Sequence, residues 1–471
     1  MAPAMNARQS EPQRGNWTRR TFAQSLALGG VMLPSMAQPH TIDSAAKRPR
    51  VAAIFTVFRF RSHAYNILEN FLGAYYLNGT LHNPPVDIVS FYADQFSAGD
   101  MTLETSKRFG IPLYDTVGAA LRCGGSELAV DGVLCIGEHG IYPYDKLGRH
   151  LYPRKRLFDE SVAVMKASGR YVPYFNDKHL SYRWDEAKEM YDTARSNQMP
   201  LMAGSSVPLA QRIPPLDLPP AADIEEAVSI HGGGLESYDF HALEILQSIV
   251  ESRRGGETGI TDVELLTGER FQQAQREGRW SADLAAAALQ AEREMNVKRQ
   301  PFPQVPRKPL GDRRQPRPIQ SSPDPRRPSG DYAISLRYSD GLKATVLRLG
   351  SDGNRWNFAC RLRGEKKPRA TAFFNGPWGN RGLFQALSHS IQQLFVTRRE
   401  PYPVERTLLT TGVVDAVMHA YDTGQPIRTK HLELAYQTPP WNHLREQGAT
   451  WKTVTVDTPQ PTRFAPRPLV R

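Results

Sequence analysis

Between residues 51 and 209, short apolar runs alternate with amphipathic stretches. Residues 51–57 form an apolar run that predicts a buried strand, and residues 63–76 predict the helix after it. A second strand is expected over 86–93, ending at Asp94. A helix follows over 103–109, then a short strand at 111–114 and a helix over 117–121 with Asp115 as its N-cap. The run 131–137 opens the most informative stretch. A polar loop, Glu138-His139-Gly140, leads to a helix over 154–168 and a strand at 171–175 that runs into Asn176-Asp177-Lys178-His179. A helix over 185–196 and a strand over 201–204 complete the series. Strands separated by helices in this rhythm predict a parallel sheet with crossover helices. Ligands of such sheets sit at the carboxyl ends of the strands, which here carry a lysine, several histidines and acids.

Beyond residue 209 the pattern changes. Pro208, Pro214, Pro215, Pro219 and Pro220 mark a crossover, followed by a strand over 227–231, three glycines (Gly232, Gly233, Gly234) and a strong helix over 238–251. A strand at 262–267 and a helix over 281–294 come next. Strict alternation over 332–338 and 342–349, around Ser339-Asp340-Gly341, predicts a hairpin. Further strands are expected at 357–362 and 370–374, and helices at 382–396 and 403–423. The fold class is therefore α/β: a Rossmann-like parallel-sheet domain over 48–209, then an α+β domain with a mostly antiparallel open sheet over 210–298 and 331–440. Residues 299–330 are proline-rich and basic, which suits a solvated linker or surface loop, and 441–471 form a C-terminal tail.

Composition changes little in this picture. Hydrophobic residues make up 40% and charged residues 23% of the 471, which suits a globular chain. The net charge of +11 suggests nucleic acid until it is located. Its excess sits at the N-terminus (Arg8, Arg14, Arg19, Arg20) and across 298–327, and the rest is close to neutral. A nucleic-acid partner would want basic residues on a folded face or in a recognisable module, so none is expected. No run approaches the roughly 20 apolar residues of a membrane span. Cys123, Cys135 and Cys360 lack metal-ligand spacing and read as buried small hydrophobes, with one disulfide open to an exported protein. No metal is expected.

The N-terminus reads as an export signal. Thr18-Arg19-Arg20-Thr21-Phe22-Ala23 precedes a short apolar stretch at 26–33, and Ser35-Met36-Ala37 suits cleavage after Ala37. The paired arginines resemble a twin-arginine signal, which places the protein in the periplasm or outside the cell.

Several pieces, in order, resemble the glucose–fructose oxidoreductase / inositol dehydrogenase (Gfo/Idh/MocA) family. Asp131-Gly132-Val133-Leu134-Cys135-Ile136 is similar to its D-x-V-hydrophobic strand. The stretch 173–204 is similar to its strand, E-K-P turn, helix and P-hydrophobic-M-x-G strand, with the turn reading Asp177-Lys178-His179. Thr423-Gly424-Gln425-Pro426-Ile427 is similar to a late T-G-x-P-hydrophobic end. The resemblance implies a dinucleotide-binding domain for NAD or NADP, a sugar or cyclitol substrate and a homo-oligomer formed through the open sheet. It implies that Lys178 is the catalytic lysine and that His241, after the glycine-rich loop, is the catalytic histidine. Glu138 and His139 would lie near the nicotinamide, and Asp94 would hold a ribose hydroxyl.

The departures are specific. The family's G-x-G-x-x-G turn falls on Thr56, Phe58 and Arg61, with Arg59 between them. Those glycines serve a tight turn and close approach of the pyrophosphate, which Phe58 obstructs. Arg59 and Arg61 could stand in as phosphate binders. The acid one helical turn before His241 is replaced by Ser237, and Asp239, two residues before it, faces another side. Tyr238 or Glu244 is left for a proton-transfer role. Three readings stay open: a sugar or cyclitol oxidoreductase (or a glycosidase with retained NAD), a cofactor-free binding or structural protein on the same architecture, and hydrolytic or lyase chemistry without nicotinamide.

Overall fold

The computed structural model describes residues 47–307, 309 and 327–470. The expected signal, 1–37, and most of the expected basic linker lie outside the described residues. Six strands form the first sheet: β1 (Arg50–Phe55), β2 (Asp87–Ala93), β3 (Leu113–Tyr114), β4 (Gly132–Ile136), β5 (Tyr174–Asp177) and β6 (Leu201–Gly204). All neighbours are parallel and the order is 3-2-1-4-5-6. The central strands β1 and β4 are covered on both faces, and so their sequences are almost unbroken apolar runs. Strand order reverses between β1 and β4, and a doubly wound sheet opens its ligand crevice at that point.

The sequence placed these strands well and missed three local features. The helix expected over 63–76 stops early, as α1 (His63–Leu68), and a hairpin of Tyr75–Leu77 and Thr80–His82 follows it. Its two-residue turn is Asn78-Gly79, both at positive φ, the residue pair such a turn favours. Helix α3 (Val117–Leu121), which follows α2 (Thr102–Phe109), is capped by Thr116 rather than Asp115: the Thr116 hydroxyl accepts from the Ala119 N–H. Strand β5 begins at Tyr174, later than expected, and so carries Asp177 at its end. The crossover helices α4 (Arg154–Ala167) and α5 (Trp184–Ser196) lie where the sequence put them.

The second sheet has eight strands: β7 (Gln211–Ile213), β8 (Ile224–His231), β9 (Ile260–Thr267), β10 (Tyr332–Tyr338), β11 (Lys343–Arg348), β12 (Trp356–Leu362), β13 (Arg369–Phe374) and β14 (Ile427–Arg428). The order is 14-9-10-11-8-12-13-7, antiparallel except for β8 beside β11. Helix α6 (Ser237–Val250) packs on one face. The other face is covered too, by α7 (Gly268–Arg276), which the sequence reading lacked, and α8 (Ala282–Met295). Val228, Ile230, Leu266, Phe271, Trp280 and Leu284 form one buried cluster there. The sheet face on which the expected homo-oligomer rested carries α7 and α8 here. Two long helices, α9 (Leu383–Thr397) and α10 (Glu405–Thr423), pack between the sheets, with α10 against α5 and α6.

The stretch from Trp441 onward returns over the parallel sheet. Phe464 is buried edge-on against Phe58 and Tyr65, at 5.0 and 5.3 Å between ring centres. All three cysteines are free thiols.

Candidate functional site

A cavity of about 570 Å³ opens at the switch point, over the carboxyl ends of β1, β4 and β5 and beside the start of α6. Lys178 enters it directly after β5. Its backbone has φ +72°, and its N–H and carbonyl pair with Gly204 at the end of β6. Arg61, His139 and Glu236 also line the cavity and also have positive φ. Non-glycine residues occupy that region at a cost of about 1–3 kcal/mol each, and such strain gathers at functional sites. At Glu236 (φ +73°, ψ −69°) the chain makes a γ-turn closed by Ser237 N–H to Leu235 O. This turn starts α6 and aims Tyr238 and His241 into the cavity.

The Lys178 Nζ is hydrogen-bonded to His241 Nε2, and His241 Nδ1 lies 2.6 Å from Ser205 Oγ. Ser205 Oγ also accepts from the Val207 N–H. The partners set the tautomer: Nδ1–H donates to Ser205, and the Nε2 lone pair faces the lysine. Burial holds the His241 pKa well below the usual histidine range, helped by the charge of Lys178, so the ring is neutral. Burial also lowers Lys178, against the pull of Glu138 and Asp177. A buried lysine beside a neutral imidazole is a proton donor and acceptor with little charge to stabilise.

A second couple joins the start of α1 to the end of β5. His63 Nδ1 is 2.6 Å from Asp177 Oδ2, with Asp177 buried at the end of β5. An aspartate on Nδ1 fixes the ring and leaves Nε2 as the acceptor. His139 packs edge-on against His63 at 5.0 Å, and burial pushes its pKa down to about 3. Glu138 pairs with Arg154 at 2.5 Å, and Arg154 Nη1 also donates to His179 Nε2 at 3.1 Å. Burial opposes charge on Glu138, but Lys178 and Arg154 outweigh it and hold the carboxyl well below its ordinary range. One wall is aromatic: Tyr238 stacks on Trp356 with ring centres 5.2 Å apart, and Tyr144 stacks on His150 at 4.3 Å.

Of the residues singled out in the sequence, Lys178, His241, Tyr238, Glu138, His139 and Arg61 come together here. The others do not. Asp239 is fully buried and acts in the backbone: it accepts from the Glu236 N–H at 2.8 Å, completing a capping box, and from the Tyr332 hydroxyl. Glu244 is buried against Thr407, Thr410 and the Ser205 N–H. Arg59 faces a neighbouring groove. The sequence reading gave no role to His63, Arg154, Ser205 or Trp356. His63 had a usable signal, since it stands directly behind the altered glycine turn, whereas Trp356 reaches the site from the other sheet.

The residues do not fit a dinucleotide in the pose the fold offers. The Thr56 hydroxyl donates to Glu138 O at 2.6 Å, which ties the turn to the next strand end. Phe58 is fully buried, wedged between Phe55 and Phe464. Asp94, expected at a ribose hydroxyl, accepts instead from the Tyr92 and Tyr142 hydroxyls, at 2.6 and 2.7 Å, and from Arg156 at 2.6 Å. The Gln95 amide both donates to and accepts from the Ile141 backbone, which holds the loop after β4 across the crevice. The chain's own side chains occupy the contacts a ribose and pyrophosphate would use.

No protein-family model matches the chain, and no curated protein matches it. Solved structures do. GenD2 from gentamicin A biosynthesis, in complex with NAD, aligns over 82% of this chain and 97% of its own at 12% identity, with a TM-score of 0.50. The myo-inositol 2-dehydrogenase of Lactobacillus plantarum aligns over 81% and 99% at 11% identity, TM-score 0.46. A myo-inositol dehydrogenase of Corynebacterium glutamicum aligns over 82% and 99% at 10% identity, TM-score 0.45. A parallel sheet in the order 3-2-1-4-5-6, joined to a mostly antiparallel sheet, is therefore the fold of the Gfo/Idh/MocA oxidoreductases that the sequence resembles.

Proposed function

We propose that the cavity is the active site of an enzyme acting on a sugar- or cyclitol-like molecule, with Lys178 and His241 as its acid/base pair. The observation that carries this reading is the Lys178–His241–Ser205 chain of hydrogen bonds, set in a cavity at the switch point. Two further features support it. Trp356 and Tyr238 offer flat faces against which a ring bearing C–H groups packs. His63, held by Asp177, gives the cavity a second proton acceptor at the start of α1. Because the crevice does not fit NAD or NADP, the chemistry derived from this chain is proton transfer: Lys178 gives or takes a proton at a substrate oxygen, while His241, held by Ser205, keeps its Nε2 lone pair on the lysine. The fold stays that of an oxidoreductase, and the reaction proposed on it is of the acid–base kind.

Calorimetric titration with myo-inositol, glucose and glucuronate tests the reading. At least one of them is expected to bind, with Trp356→Ala weakening it about tenfold, which corresponds to roughly 1.4 kcal/mol. Lys178→Ala is expected to keep binding and to abolish any change in the bound molecule followed by NMR. A protein that binds none of the three has a cavity of another kind.

We also propose export by the twin-arginine route. The first strand begins at Arg50, so cleavage after Ala37 removes none of the described fold. Expression in a bacterium with a twin-arginine pathway is expected to give a mature N-terminus at Gln38, and Arg19→Lys with Arg20→Lys is expected to leave the chain uncleaved. A mature protein that keeps Met1 would sink this proposal.

A further inference from the structure

Resting on the reading that the cavity takes a sugar-like molecule, we infer that this molecule is an anionic sugar, carrying a carboxylate or a phosphate that Arg61 receives. The cavity holds three guanidinium groups, Arg61, Arg154 and Arg327, beside the Lys178 amine, against two acids, Glu138 and Glu236. Both acids are already engaged: Glu138 with Arg154, and Glu236 with Arg327 at 3.1 Å. The direct partner of Lys178 is a neutral histidine. Arg61 donates only through Nη2, to the Trp378 carbonyl at 2.7 Å and the Gln460 amide oxygen at 2.8 Å. Its Nε and Nη1 are buried with no hydrogen-bond partner among the described residues.

A buried guanidinium without an anion is costly, because desolvation is not repaid. The nearby acid that could have repaid it is Glu69, and Arg381 takes that carboxylate with two nitrogens. Burial accordingly drives the Arg61 pKa down to about 10, with the charge of Arg381 adding to the effect. The remaining neighbours of Arg61 are the Phe60 and Phe302 rings, at 5.9 and 5.3 Å. Phe302 is half exposed, and it lines both the cavity and the adjoining groove, as Arg61 does.

The groove points the same way independently. Its walls carry Arg59, Arg108, Arg307 and Arg463 against Asp100 and Glu104. A channel lined mainly by one sign of charge raises the local concentration of the opposite ion. The side-chain amide oxygens of Asn375 and Asn380 are buried with no hydrogen-bond partner among the described residues, and both side chains line the cavity. Unused acceptors near a free guanidinium suit a ligand that brings hydroxyl donors and one anionic group.

Calorimetry with glucose, glucuronate and glucose 6-phosphate, at low and high salt, tests this on the full chain. Glucuronate or glucose 6-phosphate is expected to bind at least tenfold more tightly than glucose at low salt, and the margin is expected to shrink as salt rises. Whichever of the two prevails identifies the anion. Arg61→Gln is expected to erase the margin, while Arg61→Lys, which keeps the charge, is expected to retain most of it. Circular dichroism shows whether either variant stays folded. Equal binding of glucose and the anions, or an undiminished margin in folded Arg61→Gln, overturns the inference and leaves the sugar reading standing. No binding by any of the three overturns both.

Discussion

Titration of the purified protein with NADH or NADPH is expected to give no saturable change in nicotinamide fluorescence up to millimolar concentration. A dissociation constant above 1 mM means less than about 4 kcal/mol of binding free energy. The reason is that the crevice is satisfied from within. A ribose would have to displace the Tyr142 hydroxyl and Arg156 from Asp94, and a pyrophosphate would have to displace the Phe58–Phe464 contact. Each exchange loses a formed hydrogen bond or buried apolar area before it gains anything. Restoring glycine at a single position is not enough: Phe58→Gly removes one ring and leaves Phe464, Tyr142 and the Gln95–Ile141 clamp in place. Released NAD(H) or NADP(H) in stoichiometric amount from denatured protein, or saturable binding at micromolar concentration, would show that the loop after β4 moves aside and would return hydride transfer to the mechanism.

Replacing Arg406 by alanine is expected to cost about 3–5 kcal/mol of stability, the range for leaving one member of a buried ion pair alone. Arg406 and Glu251 are both essentially inaccessible. Glu251 accepts from Arg406 Nε at 2.9 Å and Nη2 at 2.5 Å, from the Tyr436 hydroxyl at 2.9 Å and from Trp441 Nε1 at 3.2 Å. The guanidinium lies between the Tyr402 and Trp441 rings, at 4.7 and 4.6 Å. One pair thus joins the end of α6, the start of α10 and the C-terminal stretch. Burial alone would lower the Arg406 pKa, but Glu251 more than offsets it and the pKa is raised, so the charge persists. Against a typical total of about 5–15 kcal/mol, the loss is expected to bring the urea midpoint down steeply. A double replacement, Arg406→Met with Glu251→Leu, is expected to recover most of it, because no charge is then stranded. A midpoint unchanged in Arg406→Ala would mean that water reaches Glu251.

The parallel sheet was legible because its central strands are buried on both faces, and such strands must be apolar throughout. Lys178 and His241 were legible through their place in quoted motifs, and the two side chains do meet. What the same motifs misjudged was the acid on α6. Asp239 is spent on the cap that allows the strained turn at Glu236. The second couple, His63 with Asp177, joins the start of α1 to the end of β5, and nothing local to either residue announces the partner.

Local chemistry in the sequence determined the series of strands and crossover helices in the parallel-sheet half, and that the glycine turn could not seat a pyrophosphate in the usual way; Lys178 and His241 were singled out by the family resemblance. The first two are consequences of side-chain size, apolar periodicity and position within a βα unit, and they need no distant neighbour. Only the tertiary structure decided what fills the crevice instead, that Asp239 is spent on a cap, and that Arg61 has no paired carboxylate among the described residues. The first and last of these depend on contacts between residues far apart in the chain: Phe58 with Phe464, Trp356 with Tyr238, and Glu69 with Arg381 rather than with Arg61. Pairing of that kind follows from how the two sheets and the C-terminal stretch pack, because a buried charge or ring is stabilised by whichever partner the fold delivers, whatever its distance along the sequence.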